Sequence, residues 1–329
     1  MSRGSQPENP AVPPTSEHLV RLEEITAPRL AELAAQNAVV VLPISPLEEH
    51  GPHLPMGTDI INAQYFAQMA GDLIRELEPK APVVLAPTIP LGTHAYRFMG
   101  TINIRQRVIR DLVIDYGRSL AEAGFRRLLI VSAHGGPGHI VALDEAATIL
   151  TRRHAIRTVN LTSQIIYQFL AGHLKEQVIA LAGEDGGAEW DESAKRAFAM
   201  DYHAGWWETA MMLWLRPELV DPSYTTLPEA LIPRWRLRSR SPLLPPAGQG
   251  YLGAPGRADA QFAAATIVVL QEQAWTIIGD FLAGRGPMSR HRAPLYWVPT
   301  FRTNFRIWIG VGLLVLVVGL WYFVLRHVR

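Results

Sequence analysis

The sequence predicts an α/β protein of three layers, α/β/α, whose mostly parallel sheet lies between two sets of helices, followed by one transmembrane helix. Three observations predict it. Short strand-like runs, Val39–Leu42, Val83–Ala86, Leu128–Val131 and Thr158–Leu161, alternate with stretches of helical period. The first and third runs are continuously apolar, as strands covered on both faces are. Ile307–Leu325 has no charged residue over 19 positions, which at the helical rise spans about 28 Å, close to the hydrocarbon thickness of a bilayer.

Composition sets the outer limits. A chain of 329 residues, 48% hydrophobic and 19% charged, has room for one large α/β domain with appendages. Its 31 basic and 30 acidic residues leave a net charge of +1, which lacks the basic field that nucleic acid requires. With no cysteine, disulfides and thiolate metal sites are excluded, so any metal must be held by His, Asp or Glu.

In chain order, residues 1–16 are Pro-rich and polar and are expected to be a disordered tail. The main domain is expected over 17–284. Leu19–Ala35 carries Leu22, Ile25, Leu30 and Leu33 at roughly helical spacing and is read as a helix. Helices are likewise expected over Asn62–Leu77, Gln106–Ala123 (closed by Gly124), Val141–His154 and Asp259–Leu282. Residues 183–200 and 227–254 read as loops or insertions, and 285–306, with prolines from Pro287 to Pro299, as a linker. Around 307–325, Trp308, Trp321 and Tyr322 sit as interfacial aromatics do, with Arg302 and Arg306 before the span and Arg326 and Arg329 after it. The expectation is a single-pass, tail-anchored membrane protein in contact with the lipid bilayer, its catalytic domain on the cytoplasmic side.

Chemistry collects after the first strand, in Glu48–Asp59, EEHGPHLPMGTD. Pro43, Pro46, Gly51, Pro52, Pro55 and Gly57 break regular structure there, which puts acids and imidazoles on a loop at a strand's carboxyl end, where ligands gather in parallel sheets. Glu48 and His50 are two apart and share a side of an extended chain, and Asp59 returns to meet them once the loop folds back. Carboxylate with imidazole suits zinc, manganese or iron. The third strand leads into SAHGGPGHI, which places His134 toward the first loop and lets Gly135 and Gly136 bring backbone close to a ligand. A third cluster, DYHAGWWETAMML (Asp201–Leu213), holds His203 and Glu208 five apart before an apolar, helix-like run.

EEHGPHLPMGTD resembles the signature of the creatininase family of metal-dependent amidohydrolases, a Glu-x-His-Gly-x-His-Leu-Pro run followed by Thr-Asp. SAHGGPGHI is similar to the family's Gly-His-Gly-Gly-Asn segment, with Pro137 where Asn is usual. DYHAGWWET resembles its His-Ala-Gly-x-x-Glu-Thr segment, with Trp206 in place of an acid. Weaker echoes lie in THAYRFMGTINI (Thr93–Ile104) and in Gly250–Ala265, so the likeness runs over roughly residues 20–283. It implies a creatininase-like fold and two divalent ions, Zn, Mn or Fe, held by Glu48, His50, Asp59, His134 and Glu208, with Asp59 as the bridge. It further implies His203 as the proton shuttle beside Glu208, and His53, His94, Trp206, Gly135 and Gly136 as groups around substrate or ligands. It implies a homo-oligomer as well. The expected activity is hydrolysis of a C–N amide bond in a small, possibly cyclic, amide. A relative that trims a short peptide, and a non-catalytic metal-stabilised module binding a partner at the membrane, are the alternatives.

Overall fold

The computed structural model describes residues 19–184, 190–233 and 249–327. The expected tail over 1–16, and most of the Pro- and Arg-rich stretch within 227–254, lie outside these residues. Five strands form one wholly parallel sheet: β1 (Val20–Arg21), β2 (Val39–Pro43), β3 (Val83–Leu85), β4 (Arg127–Val131) and β5 (Arg157–Asn160), in the order β1-β3-β2-β4-β5. Side chains alternate across a strand, so each strand feeds two cores. Val39 and Val41 of β2 and Leu129 and Val131 of β4 enter one, while Val40, Leu42, Leu128 and Ile130 enter the other. This explains why the strands are apolar without interruption.

The helices divide between these faces. α1 (Ala27–Ala35), α3 (Gln106–Glu122) and α4 (Pro137–Arg153) cover one through Leu33, Ile109, Val113, Leu143 and Leu150. α2 (Thr58–Leu77), α5 (Thr162–Ala171), α6 (His173–Glu184), α7 (Glu192–Ala199), α8 (Trp206–Leu215) and α9 (Ala260–Leu282) cover the other. β2 has β3 on one side and β4 on the other. Its successor α2 lies on the opposite face from α4, the successor of β4, so the loops leaving β2 and β4 open into a crevice between them.

Three readings of the sequence change. Residues 19–35 contain an edge strand, β1, before α1; at two residues it is too short to leave a periodic signal. Residues 183–200 contain α7, whose N-terminus is capped by the Asp191 side chain accepting from Ala194 N at 2.6 Å. Residues 285–306 do join the main domain to the last helix, α10 (Phe305–His327), but as a packed strap of three single-turn helices. Ala293 and Tyr296 are buried there, Ala293 N donates to Ser163 Oγ at 2.9 Å, and Arg302 Nε meets Glu145 Oε1 at 2.5 Å. By length and composition the described helix able to cross a membrane is α9, yet 56% of its apolar window is buried in the core. Ile307–Trp321 of α10 is a shorter apolar stretch, and every residue in it is exposed.

The strap is tied to α4 through Asp144, which is fully buried and accepts from Ser163 Oγ at 2.7 Å. Burial pushes its carboxyl up to about 7, against the hydrogen bond from Ser163. A folded-state pKa raised above the unfolded value gives stability that is complete at about pH 4 and lost as pH rises through about 7. Asp144→Asn is therefore expected to gain about 1–3 kcal/mol relative to wild type between pH 5 and pH 8, measured as the difference between their urea-unfolding curves.

Candidate metal centre

The loop after β2 is closed by its own hydrogen bonds. Glu48 N donates to Met56 O at 3.1 Å, Thr58 Oγ1 to Pro55 O at 2.7 Å, and Asn62 Nδ2 to Thr58 O at 3.1 Å. This places Asp59 in the first turn of α2, opposite Glu48 and His50. His134 arrives from the loop after β4, and Glu208 from the first turn of α8. Both helical acids sit where the helix dipole favours negative charge.

These five residues converge, almost entirely out of solvent. His134 Nδ1 lies 3.0 Å from Glu48 Oε2 and 3.1 Å from Asp59 Oδ2. His50 Nε2 lies 3.4 Å from Asp59 Oδ1 and 3.6 Å from Glu208 Oε2. Two triads result, Glu48–Asp59–His134 and His50–Asp59–Glu208, each with its ligand atoms within 4.8 Å of one another and sharing Asp59. A third grouping joins Glu48, His50 and His203.

The tautomers are set from behind. His50 Nδ1 donates to Glu48 O at 2.9 Å and His134 Nε2 to Thr93 O at 3.2 Å, which leaves His50 Nε2 and His134 Nδ1 facing the acids as the nitrogens that a metal would take once they lose their protons. Glu48 Oε1 accepts from Tyr96 N and Glu208 Oε2 from Ala204 N, each at 2.5 Å. Glu48 Oε2, His50 Nε2 and Asp59 Oδ2 are buried without any hydrogen bond. Buried polar atoms are rarely left so, and these three, all oxygen or imidazole nitrogen and spread over the two triads, fit hard or borderline divalent cations.

Electrostatics agree. Burial raises Glu208 to about 8 despite the neighbouring His50, and although burial works against it, Asp59 and Glu208 lift His50 to about 10. His134 is likewise held well above its ordinary value by Glu48 and Asp59, against burial. Without metal, the cluster thus holds protons to offset three buried acids, and cations would displace them.

His203 stands beside the cluster. Its Nε2 donates to Glu49 O at 2.8 Å, and its ring lies 4.4 Å from His50 and 4.7 Å from Tyr96. Burial depresses it to about 4 even with Glu48 nearby, so the ring is neutral at pH 7 and Nδ1 carries the lone pair. The Gly250–Gly253 turn secures this residue: His203 N donates to Leu252 O at 3.1 Å and Leu252 N to His203 O at 2.7 Å.

His53 Nε2 pairs with Thr209 Oγ1 at 2.9 Å and braces α8 one residue past Glu208. His94, at φ +60°, meets the first turn of α4, its Nδ1 accepting from Gly138 N at 3.2 Å. Trp206 stacks on Trp190 at 5.0 Å in an aromatic group with Phe198 and Phe262, because α8 turns it away from the cluster. Trp207 instead faces a cavity that reaches His203 and Glu208, lined otherwise mainly by apolar side chains such as Phe66, Ile166, Leu170 and Leu270. Gly135 lines this cavity and admits Leu170, whereas Gly136 admits the His134 ring. At Gly136 the backbone carbonyl of His94 also stands 2.9 Å from where a Cβ would lie.

Sequence reasoning missed Tyr96 and Asp201. Tyr96 acts through its backbone N–H, which leaves no residue-type signal, although it lies within THAYRFMGTINI. Asp201 is buried and accepts from Trp206 N at 2.6 Å and Trp207 N at 2.9 Å, clamping the turn that presents Glu208. Lys175, also buried, donates to Asp201 O at 2.6 Å.

A Cβ on Gly205 would stand 1.8 Å from Asp201 Oδ1 and 3.0 Å from Gly253 Cα, a backbone atom that cannot move aside. Gly205→Ala is expected to destabilise the chain by about 1–3 kcal/mol in urea unfolding and to weaken divalent-metal binding in titration calorimetry, because Glu208 shifts with its turn.

The family described as "Creatininase: Creatinine amidohydrolase" matches residues 23–278. A mycofactocin precursor peptide peptidase from Mycobacterium tuberculosis (strain CDC 1551 / Oshkosh) is 35% identical over 132 residues, 39% of this chain and 51% of that protein, so the chain spans about half the length of this relative. A creatinine amidohydrolase from Pseudomonas putida is 24% identical over 199 residues, 58% of this chain and 69% of that protein. The solved structure described as "Creatininase Mn" superposes with a TM-score of 0.58 at 22% identity, covering 80% of this chain and 99% of that one, a likeness of fold.

Proposed function

This chain belongs to the creatininase family, and from that premise we propose that it is a membrane-anchored, metal-dependent hydrolase of C–N amide bonds. The observation that carries the reading is the pair of triads meeting at Asp59, with three buried ligand atoms left without hydrogen bonds. Glu48, Asp59 and His134 would hold one divalent ion and His50, Asp59 and Glu208 another. When bound, such ions supply a hydroxide nucleophile near neutral pH and polarise the carbonyl under attack.

The protein's own residues do the rest. The carbonyl of Glu49 fixes the His203 tautomer, so Nδ1 takes up a proton from the attacking water and returns it to the departing nitrogen. Tyr96 N and Ala204 N hold Glu48 and Glu208 to single orientations. Ala204 sits at φ +46°, an uncommon conformation for a residue with a side chain, retained where its N–H meets Glu208.

Two substrate classes are compatible with this chemistry, a small cyclic amide and a short peptide. The cavity favours the peptide: Phe66, Ile166, Leu170 and Leu270 offer an apolar side chain a dry seat beside His203. Membrane attachment is supported by α10, whose residues from Ile307 to Trp321 are exposed and apolar on all sides, as expected of a helix whose solvent is lipid.

Elemental analysis of the full chain in detergent is expected to find about two transition-metal ions per chain in wild type and fewer than one in Asp59→Ala, as shared ligation requires; retention of both ions in the variant would overturn the bridge. His203→Ala should keep its metal and lose about a hundred- to ten-thousandfold in kcat on a short-peptide amide panel. Ile166→Trp should lower kcat/KM about 10- to 200-fold for peptides with a large apolar residue next to the cleaved bond, while leaving glycine counterparts unchanged.

A further inference from the structure

The far end of α4 bears a second pocket. Its C-terminal turn, α3, the strap and the first turns of α10 line an open cleft of about 510 Å³ whose lining includes Arg110, Arg152, Arg153 and Arg302, one carboxylate, Glu145, and Trp308. Glu145 is already engaged, by Arg302 Nε at 2.5 Å and Thr303 N at 3.4 Å. Arg110 is paired with Asp111 at 2.6 and 2.8 Å. Arg302 is also held in place over the Tyr296 ring at 4.1 Å. Arg152 and Arg153 then leave the lining with an excess of positive charge. The dipole of α4 accounts for basic residues in its last turn. Arg110 and Arg302, each with a carboxylate partner of its own, bring two more guanidiniums to the same lining from α3 and the strap.

The location narrows the ligand. Trp308 and Phe305, in the first turns of the apolar helix, form part of the wall, and Trp297 and Val298 of the strap are 66% and 39% exposed. Aromatic residues beside guanidiniums at the start of an apolar helix are the arrangement found at a membrane's headgroup level. Arginine forks match the planar, multi-oxygen acceptor of a phosphoryl group. We propose that this pocket binds a phosphoryl anion, supplied by the headgroup of an acidic phospholipid where α10 enters the bilayer. The lipid source rests on the membrane-anchored reading above; the phosphoryl chemistry rests on the pocket alone.

The test is titration calorimetry on the full chain in uncharged detergent, with short-chain phosphatidylglycerol, short-chain phosphatidylcholine and inorganic phosphate as separate probes. Saturable binding of phosphatidylglycerol is expected, weakened about tenfold or more in Arg152→Gln/Arg153→Gln and by raising salt from about 0.1 M to about 0.5 M. Phosphatidylcholine, whose phosphate is internally neutralised, is expected to bind at least about tenfold more weakly. Comparable binding of inorganic phosphate would keep the site and assign it to a free anion. Failure of both phosphatidylglycerol and phosphate to bind, equal binding of phosphatidylcholine, or unaltered affinity in the double variant would overturn the proposal. A melting curve of the variant checks that it folds. Flotation of the wild type with neutral phosphatidylcholine vesicles tests membrane anchoring by itself, so its failure is distinguishable from failure of the pocket.

Discussion

Three carboxylates, Glu48, Asp59 and Glu208, are brought together in the interior with Asp59 in the middle, and the rest of the structure is arranged around that repulsion. Burying one unpaired carboxylate costs several kcal/mol after relaxation, and burying three in contact is sustainable only with positive charge among them. The imidazoles of His50 and His134 supply it in the protein alone, which is why both are driven toward their protonated forms. Their ring nitrogens facing Asp59 are the ones that metal would claim, because the opposite nitrogens are already committed to Glu48 O and Thr93 O. The same fixed orientation thus serves the charged pair and the ligand set.

Rigid elements enforce the meeting. β2 and β4 are paired over their whole length, so the loops that follow them cannot separate. α2 delivers Asp59 and α8 delivers Glu208 from their first turns, and α8 itself is held by Asp201, by the His53–Thr209 contact and by the strand-like bridge between His203 and Leu252. The fully buried Lys175 reinforces Asp201 from its carbonyl side. Much of the polar machinery outside the ligands therefore fixes where one helix begins.

What was legible in the sequence follows from what leaves a pattern. The continuous apolar strands and the amphipathic helices between them gave the parallel sheet, since each periodicity reports directly on burial. Glu48, His50 and Asp59 stand out because acids and imidazoles cluster in a turn-rich segment at a strand's end, whereas the roles expected of His134, Glu208 and His203 come from the resemblance to the creatininase signature. β1 was not visible, because two residues carry no period. The strap was read as a linker from its prolines, yet those prolines start short helical turns that pack on α4 through Ala293 and Tyr296. Trp206 and Trp207 were indistinguishable until helix phase turned one to the aromatic core and the other to the cavity. The contributions of Tyr96 and Ala204 pass through backbone N–H groups, to which side-chain identity is indifferent.

The central claim is that Asp59 is shared by two ions, and anomalous X-ray diffraction from crystals grown with manganese tests it most directly. Two anomalous peaks about 3.5–4 Å apart, one against Glu48 and His134, the other against His50 and Glu208, with Asp59 between them, are predicted. A single peak, or peaks that do not both touch Asp59, would contradict the account.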